Sequence, residues 1–170
     1  MLTDAKEILD RVARDFGGPL YWHIRRIVVR HDDAEDALQE AFIKIYTKAS
    51  SFSGNEDSLK AWAYKIATRE ALQTLRRRSR LFQSLDSVSR ELAGMVGNES
   101  PEGSGDGSVL LQKAILSLST QQRIVFNLRY YDEMPYEEIA AVTGKSEGTL
   151  RTNYHYASEK IKEYLKENTI

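Results

Sequence analysis

Thr149, Arg151, Thr152, Asn153 and His155 crowd the start of one segment, just behind Gly144. A guanidinium forks onto a guanine edge or a phosphate, and hydroxyl, amide and imidazole groups donate to or accept from base edges. The chemistry these residue types share is hydrogen bonding to a nucleic acid, provided a helix presents them on one side. Met134 to Ala157 reads as two helices joined by a tight turn. Glu137 and Glu138 suit a positive helix start. Ile139 and Val142 supply an apolar face, and Ala140 and Ala141 permit close approach. Gly144 takes the left-handed conformation a helix stop requires, and Ser146 is placed to cap the next helix. This is the pattern that delivers a recognition helix to the major groove. The alternative is a helical hairpin that only fills a core.

A second constellation runs from Trp62 to Arg80. Residues 60–80 hold seven basic side chains (Lys60, Lys65, Arg69, Arg76, Arg77, Arg78, Arg80) and one acidic one, Glu70. Arginine forks bind phosphates, and aromatic rings stack on unpaired bases. The polar loop from Phe52 to Ser58, with Gly54 and Asn55, precedes this helix and is suited to a splayed-out base. Trp62 and Ile66 are expected in the core, and the arginine run on phosphates.

The third constellation is His31 to Tyr46. Asp32, Asp36 and Glu40 recur every four residues on one face. That face is solvated or docks another protein. A metal site is not expected, because the Glu-x-x-His repeats of di-metal bundles are missing. The histidines, His23, His31 and His155, fall in separate elements, and no catalytic set or glycine-rich phosphate loop is found. The chain is not expected to be an enzyme or to carry a cofactor.

The elements that must position these residues are all helical. Helices are predicted over about Thr3–Phe16, Leu20–Val29, Asp32–Ala49 and Leu59–Arg80. Gly17-Gly18-Pro19 is expected to break the first pair. The fourth helix should bury Trp62, Ile66, Leu72 and Leu75. Residues 84–108 include five glycines and Pro101 and read as a flexible linker with little that could form a core. Extended, 25 residues reach roughly 80 Å, the length of about 24 base pairs. Helical pattern resumes at Val109, with Leu110, Leu111, Ile115 and Leu118 on one face. Ser119-x-x-Gln122 is a capping box for the next helix. The fold class is all-α, two small helical domains joined by a flexible linker. Residues 1–83 form the first domain and 109–170, with the helix-turn-helix, the second.

The formal net charge of −1 over 170 residues hides the basic patch, and local charge is what attracts phosphate. Cysteine is lacking, which excludes disulfides and thiolate chemistry and fits a reducing compartment. No apolar run reaches the length of a membrane span, and acidic residues interrupt any signal-like start. A cytoplasmic protein is expected.

An acidic helix, a basic aromatic helix, a linker and a helix-turn-helix, in that order, resemble the extracytoplasmic-function class of bacterial sigma factors. The resemblance runs from about Phe16 to Tyr164. It rests on Asp32-Asp-Ala-Glu-Asp-Ala-Leu-Gln-Glu-Ala-Phe42, Trp62-Ala-Tyr-Lys-Ile-Ala67, and Tyr136-Glu-Glu-Ile-Ala-Ala-Val-Thr-Gly144 with Glu147-Gly-Thr-Leu-Arg151. It implies binding to core RNA polymerase and to promoter DNA, with an anti-sigma factor as a further partner in many members and no small-molecule substrate. Asp36, Leu38, Gln39, Glu40 and Phe42 would dock on the polymerase. Phe52, Asn55, Lys60, Lys65, Arg69, Arg76, Arg77 and Arg78 would hold the −10 strand. Ser146, Glu147, Thr149, Arg151, Thr152 and His155 would read the −35 duplex. The chain departs from the family's habit at Arg69 and Gln73, where Asn and Asp are common, and at Asn153, Tyr156 and Ser158, where basic residues are frequent. A stand-alone helix-turn-helix regulator is the alternative, but it leaves the acidic and basic helices without a role.

Overall fold

The computed structural model describes residues 4–78, 90–95 and 106–169. Among these residues every regular element is a helix. Helix α1 spans Ala5–Val28, α2 His31–Thr47 and α3 Glu56–Arg78, with a single 3₁₀ turn at Ala49–Ser51 between the last two. A short helix, α4, occupies residues 90–95. Then come α5 (Asp106–Leu116), α6 (Thr120–Tyr130), α7 (Tyr136–Thr143) and α8 (Glu147–Asn168).

Helix α1 is one continuous helix, against the break expected at Gly17-Gly18-Pro19. Ile8, Val12, Leu20, Ile24 and Ile27 are buried and Phe16 packs beside them, so one apolar stripe with four-residue spacing runs through the glycines. Pro19 is exposed, which lets water satisfy the carbonyl it strands. Burial of the stripe outweighs the roughly 3 kcal/mol an interior proline costs.

Helix α3 begins earlier than expected because Asn55 caps it: its side-chain oxygen accepts from the Ser58 amide at 3.2 Å. Its buried stripe also differs. Leu59, Ala63, Tyr64, Ile66, Ala67 and Ala71 are buried, while Trp62, Leu72 and Leu75 are half-buried at the edge. The alanines let α1, α2 and α7 all approach α3 closely.

Gly144 and Ser146 act as read, whereas the Ser119-x-x-Gln122 capping box forms only its serine half, Gln122 accepting instead from Lys160 at 3.1 Å. Ser119 caps α6 by accepting from the Gln122 amide at 3.3 Å. Gly144 ends α7 in the left-handed region (φ 76°, ψ 10°), with its amide donating to Ala140. Ser146 caps α8 through the Thr149 amide at 3.2 Å.

The two halves close on each other. One core joins Ile8 through Ala71 to Ile124, Val125, Leu128, Met134, Ile139, Val142 and Leu150. A second cluster, Ala114, Ile115, Leu118, Phe126, Ala157 and Ile161, belongs to the C-terminal half alone. Within the stretch read as linker, residues 90–95 are helical and bury Leu92 and Met95. The glycine content of that stretch concealed these two apolar anchors.

Candidate nucleic-acid interface

Helix α8 buries Leu150, Ala157 and Ile161. Phase then turns Glu147, Thr149, Arg151, Thr152 and His155 outward, and all five are exposed. The Ser146 hydroxyl caps the helix and lies 2.9 Å from the Thr149 hydroxyl, so these two residues shape the helix start. The Arg151 guanidinium pairs with Glu147 at 3.4 Å and lies 4.9 Å from the centre of the Tyr136 ring. Tyr136 therefore holds Arg151 along the surface through a cation–π contact. Arg129 approaches the same ring at 4.7 Å. Tyr156, which sequence reasoning treated only as a lost basic position, is 55% exposed and extends this face by one turn from Thr152.

The −10 candidates separate into three groups. Phe52 is half-buried and packs on Trp62 with ring centres 4.9 Å apart. Gly54 lies under it: a Cβ there would stand 2.0 Å from the Ser58 hydroxyl oxygen and 3.0 Å from the Phe52 ring, so a side chain would force both to shift. Trp62 is thus the floor of the loop and not the buried core residue expected. Asn55 is exposed, but its side-chain oxygen is spent on capping α3. The second group, Lys60, Lys65 and Arg69, meets the C-terminal half. Lys60 stands 3.7 Å from the Glu138 carboxylate. Lys65 and Arg69 line a cleft of about 280 Å³ whose other wall is Gln121, Ile124, Val142, Thr143 and Gly144.

The third group is the arginine run at the end of α3. Arg76 and Arg77 are exposed. Arg78 departs from the expected free phosphate anchor. Its guanidinium pairs at 3.0 Å with Asp33, whose side chain is 3% exposed. A buried carboxylate requires such a partner, and the demand comes from α2, far away in sequence.

On α2, Asp36, Gln39 and Glu40 are exposed and Asp32 with them. Leu38 and Phe42 are half-buried against the core, so they support the face from below. Ile43 (55% exposed) and Tyr46 (51%) continue it outward. Sequence reasoning missed both. The signal was their phase: Ile43 falls four residues beyond Gln39 and three beyond Glu40, Tyr46 falls three beyond Ile43, and both lie off the stripe of Ala37, Ala41 and Ile45. The result is an acidic surface with exposed apolar side chains.

The seam between the halves has its own chemistry. The Tyr64 hydroxyl donates to Asp132 at 2.9 Å, and burial with that carboxylate nearby pushes the hydroxyl's pKa up. The Arg26 guanidinium lies 4.0 Å from the centre of the Tyr131 ring. Arg123, buried enough to lower its pKa, donates to the Ile27 carbonyl at 3.3 Å. His23 is wholly buried. Its Nε2 lies 2.8 Å from the Thr68 hydroxyl, which itself donates to the Tyr64 carbonyl. Nε2 is therefore the protonated nitrogen, and burial holds the pKa of His23 down at about 3. It is a packed neutral residue.

Among the described residues no group of three or more His, Cys, Asp or Glu side chains could hold a metal ion. No described helix is long and apolar enough to cross a membrane.

Comparison with known proteins shows the family. The Sigma-70 region 2 family matches residues 12–81, and Sigma-70 region 4 matches residues 108–161. The chain is 33% identical to the extracytoplasmic-function RNA polymerase sigma-E factor of Escherichia coli K12 over 138 residues, 76% of this chain and 72% of that protein. It is 29% identical to the sigma factor SigW of Bacillus subtilis over 157 residues, 87% of this chain and 83% of the relative. Among solved structures, the sigma factor RpoE of Bartonella quintana, in complex with the anti-sigma factor NepR, superposes with a TM-score of 0.69 at 25% identity. That match covers 94% of this chain and 97% of the other.

Proposed function

The chain belongs to the extracytoplasmic-function class of RNA polymerase sigma factors, and on that premise we propose how its exposed surfaces divide the work. It is an alternative sigma factor that binds core RNA polymerase and directs initiation at particular promoters. It recognises DNA and leaves catalysis to the polymerase, and its place of work is the cytoplasm.

The acidic face of α2, with Asp36, Gln39, Glu40, Ile43 and Tyr46, docks on the polymerase. Leu38 and Phe42 hold that face in shape. The loop from Phe52 to Asn55 and the cationic side of α3, with Lys60, Lys65, Arg69, Arg76 and Arg77, take the −10 strand. The outward side of α8 reads the −35 duplex. Residues 1–83 and 109–170 are the two working domains, and an anti-sigma factor is a further partner.

The observation that carries this reading is the division of exposure along α2, α3 and α8. Helices α2 and α3 bury one stripe in the shared core, α8 buries one divided between that core and the second cluster, and each leaves outward the residue types its proposed partner requires. A stand-alone regulator would have no use for the first two faces. The test is co-elution of the purified chain with bacterial core polymerase, then sequencing of transcripts the complex starts on fragmented genomic DNA. Assembly and a shared two-part motif upstream of the starts are expected, and Asp36→Arg should abolish assembly while remaining folded. Failure of the folded wild-type chain to assemble would sink the proposal.

A further inference from the structure

We propose that residues 90–95 are an intramolecular latch, with Glu91 as its catch, seated on the corner between α1 and α2. It holds the two halves together until the polymerase is engaged. The inference rests on the sigma reading above.

The corner is built around a strained turn. Val29 sits at φ 74°, ψ −50°, and the Arg30 amide donates to the Val28 carbonyl at 2.9 Å. This is a γ-turn of the rare hand. A β-branched residue at positive φ is a genuine outlier, of a kind that persists only where surroundings enforce it. The enforcing group is Arg25, whose Nε donates to the Val29 carbonyl at 2.6 Å. Its guanidinium, nearly buried, also donates to the Glu91 carboxylate at 3.1 Å and to the Glu91 carbonyl at 3.2 Å.

The same carboxylate accepts from the backbone amide of His31 at 3.2 Å. His31 is the first residue of α2, and Arg30 before it offers no side-chain cap. Glu91 thus supplies, from sixty residues away, the cap that the polymerase-docking helix lacks. Its negative charge suits that helix end.

Leu92 and Met95 complete the seat. They form a separate apolar cluster with Val29, against which Trp22, Val109 and Leu116 pack. Trp22 and Val29 come from the N-terminal half, Val109 and Leu116 from α5 in the C-terminal half. Parting the halves must break one side of this cluster. The direct seam is imperfect by comparison: Arg123 of α6, which reaches the Ile27 carbonyl across it, is buried with Nε unbonded. Such a group costs about 1–3 kcal/mol in the closed state and is recovered by water on opening.

Chain length gives the latch its consequence. While residues 90–95 are seated, only residues 96–105 separate the corner from α5, a reach of roughly 35 Å at most. Once released, residues 79–105 can extend to roughly 90 Å. Elements named −10 and −35 stand about 85 Å apart on duplex DNA. Release removes the shortest tether and uncaps α2 in the same event, so linker position and polymerase docking are coupled.

The chain contains no cysteine, so Glu7→Cys and Glu163→Cys, both at exposed positions, can carry a fluorescent donor and acceptor. Glu91→Arg, facing Arg25, should lower transfer efficiency in the free full-length protein, and Glu91→Gln should restore part of it. Amide exchange at the start of α2 should quicken roughly fivefold in Glu91→Arg, as for loss of one cap. Leu92→Ser with Met95→Ser should also lower transfer and quicken that exchange, because it unseats the same helix, and it serves if Glu91→Arg does not fold. A folded variant set with wild-type transfer efficiency would overturn the latch. The free-protein readout uses neither polymerase nor promoter. Opening by Glu91→Arg, together with no polymerase assembly by the folded wild-type chain, would therefore overturn the sigma reading and keep the latch as a closure device.

Discussion

The arginine run at the end of α3 gives the sharpest prediction, because the structure divides what the sequence presents as one block. Arg76, Arg77 and Arg78 are all exposed, but Arg78 pairs with the buried carboxylate of Asp33 at 3.0 Å, whereas Arg77 donates only to the neutral Thr74 hydroxyl at 3.4 Å among the contacts of described residues. A cation that neutralises one phosphate of a single strand contributes about 0.7 to the slope of log K against log salt. Replacing Arg76 and Arg77 together by alanine should therefore flatten that slope by about 1.4, and adding Arg78→Ala should change it little further. Arg78→Ala alone should instead cost stability. Among the described residues Asp33 would keep Arg30, 3.9 Å away. The pair is half-open to solvent on the arginine side. The loss therefore falls between the ~0–1 kcal/mol of surface pairs and the ~3–5 kcal/mol of breaking a buried one, about 1–3 kcal/mol. The assay is fluorescence anisotropy of a promoter fragment with an unpaired −10 strand, bound by the polymerase complex of each variant across a salt series. Thermal unfolding of the free variants runs in parallel. A slope change of about 0.7 for Arg78→Ala, with no loss of stability, would refute the assignment of Arg78 to Asp33. An unchanged slope for the Arg76, Arg77 pair would place both away from phosphate.

Three further predictions use other parts of the molecule. Arg151→Ala should weaken −35 recognition by about 1–3 kcal/mol, measured against a series of −35 base substitutions; unchanged discrimination would move the reading to Thr149, Thr152 or His155. His23, held at about 3 by burial against about 6.5 in the unfolded chain, stays neutral in the folded protein while the unfolded chain takes up a proton. Stability is then unaffected above about pH 6.5 and falls as pH drops towards 3, by about 2 kcal/mol between pH 7 and pH 5. Denaturant titrations should show that loss in wild type and a flatter profile in His23→Gln, and equal profiles would mean His23 is not the source. Tyr64→Phe removes the hydroxyl that donates to Asp132 across the seam and should destabilise the closed form by about 1–2 kcal/mol, seen as lower transfer between labelled halves; unaltered transfer would show the bond to be dispensable.

Features set by neighbours in sequence were legible, and those set by partners far away were not. Gly144, Ser146 and Ser119 act within a turn of their own position, so a short window contains their whole physics. The all-helical pattern and the outward phase of α8 were readable for the same reason. Gly17-Gly18-Pro19 was misread because its local cost is real but is outweighed by a stripe extending along all of α1. In α3, bulky Trp62 and Leu75 drew the core assignment, yet Ala63, Ala67 and Ala71 lie deeper. Alanine marks where helices come closest, and nothing local says that three helices do so here. Arg78 looked like its neighbours because Asp33, which claims it, lies on another helix. Ile43 and Tyr46 were legible in principle, since helical phase alone separates them from Ala41 and Ile45.

Lys60 links these observations to function. It is one of the side chains proposed for the −10 strand, and in the closed form it faces the Glu138 carboxylate at 3.7 Å. That pair is partly solvated, so breaking it costs at most about 1 kcal/mol. A phosphate can take the place of the carboxylate at little net expense, because one charge-assisted contact replaces another. Glu138 lies in the first turn of α7, where the helix end stabilises its charge after Lys60 has left. Strand capture by α3 and departure of α7 are therefore compatible steps along one path. The deeper seam contacts at Tyr64 and Arg123, with the seat of residues 90–95, set the free energy that polymerase binding must supply before that exchange begins.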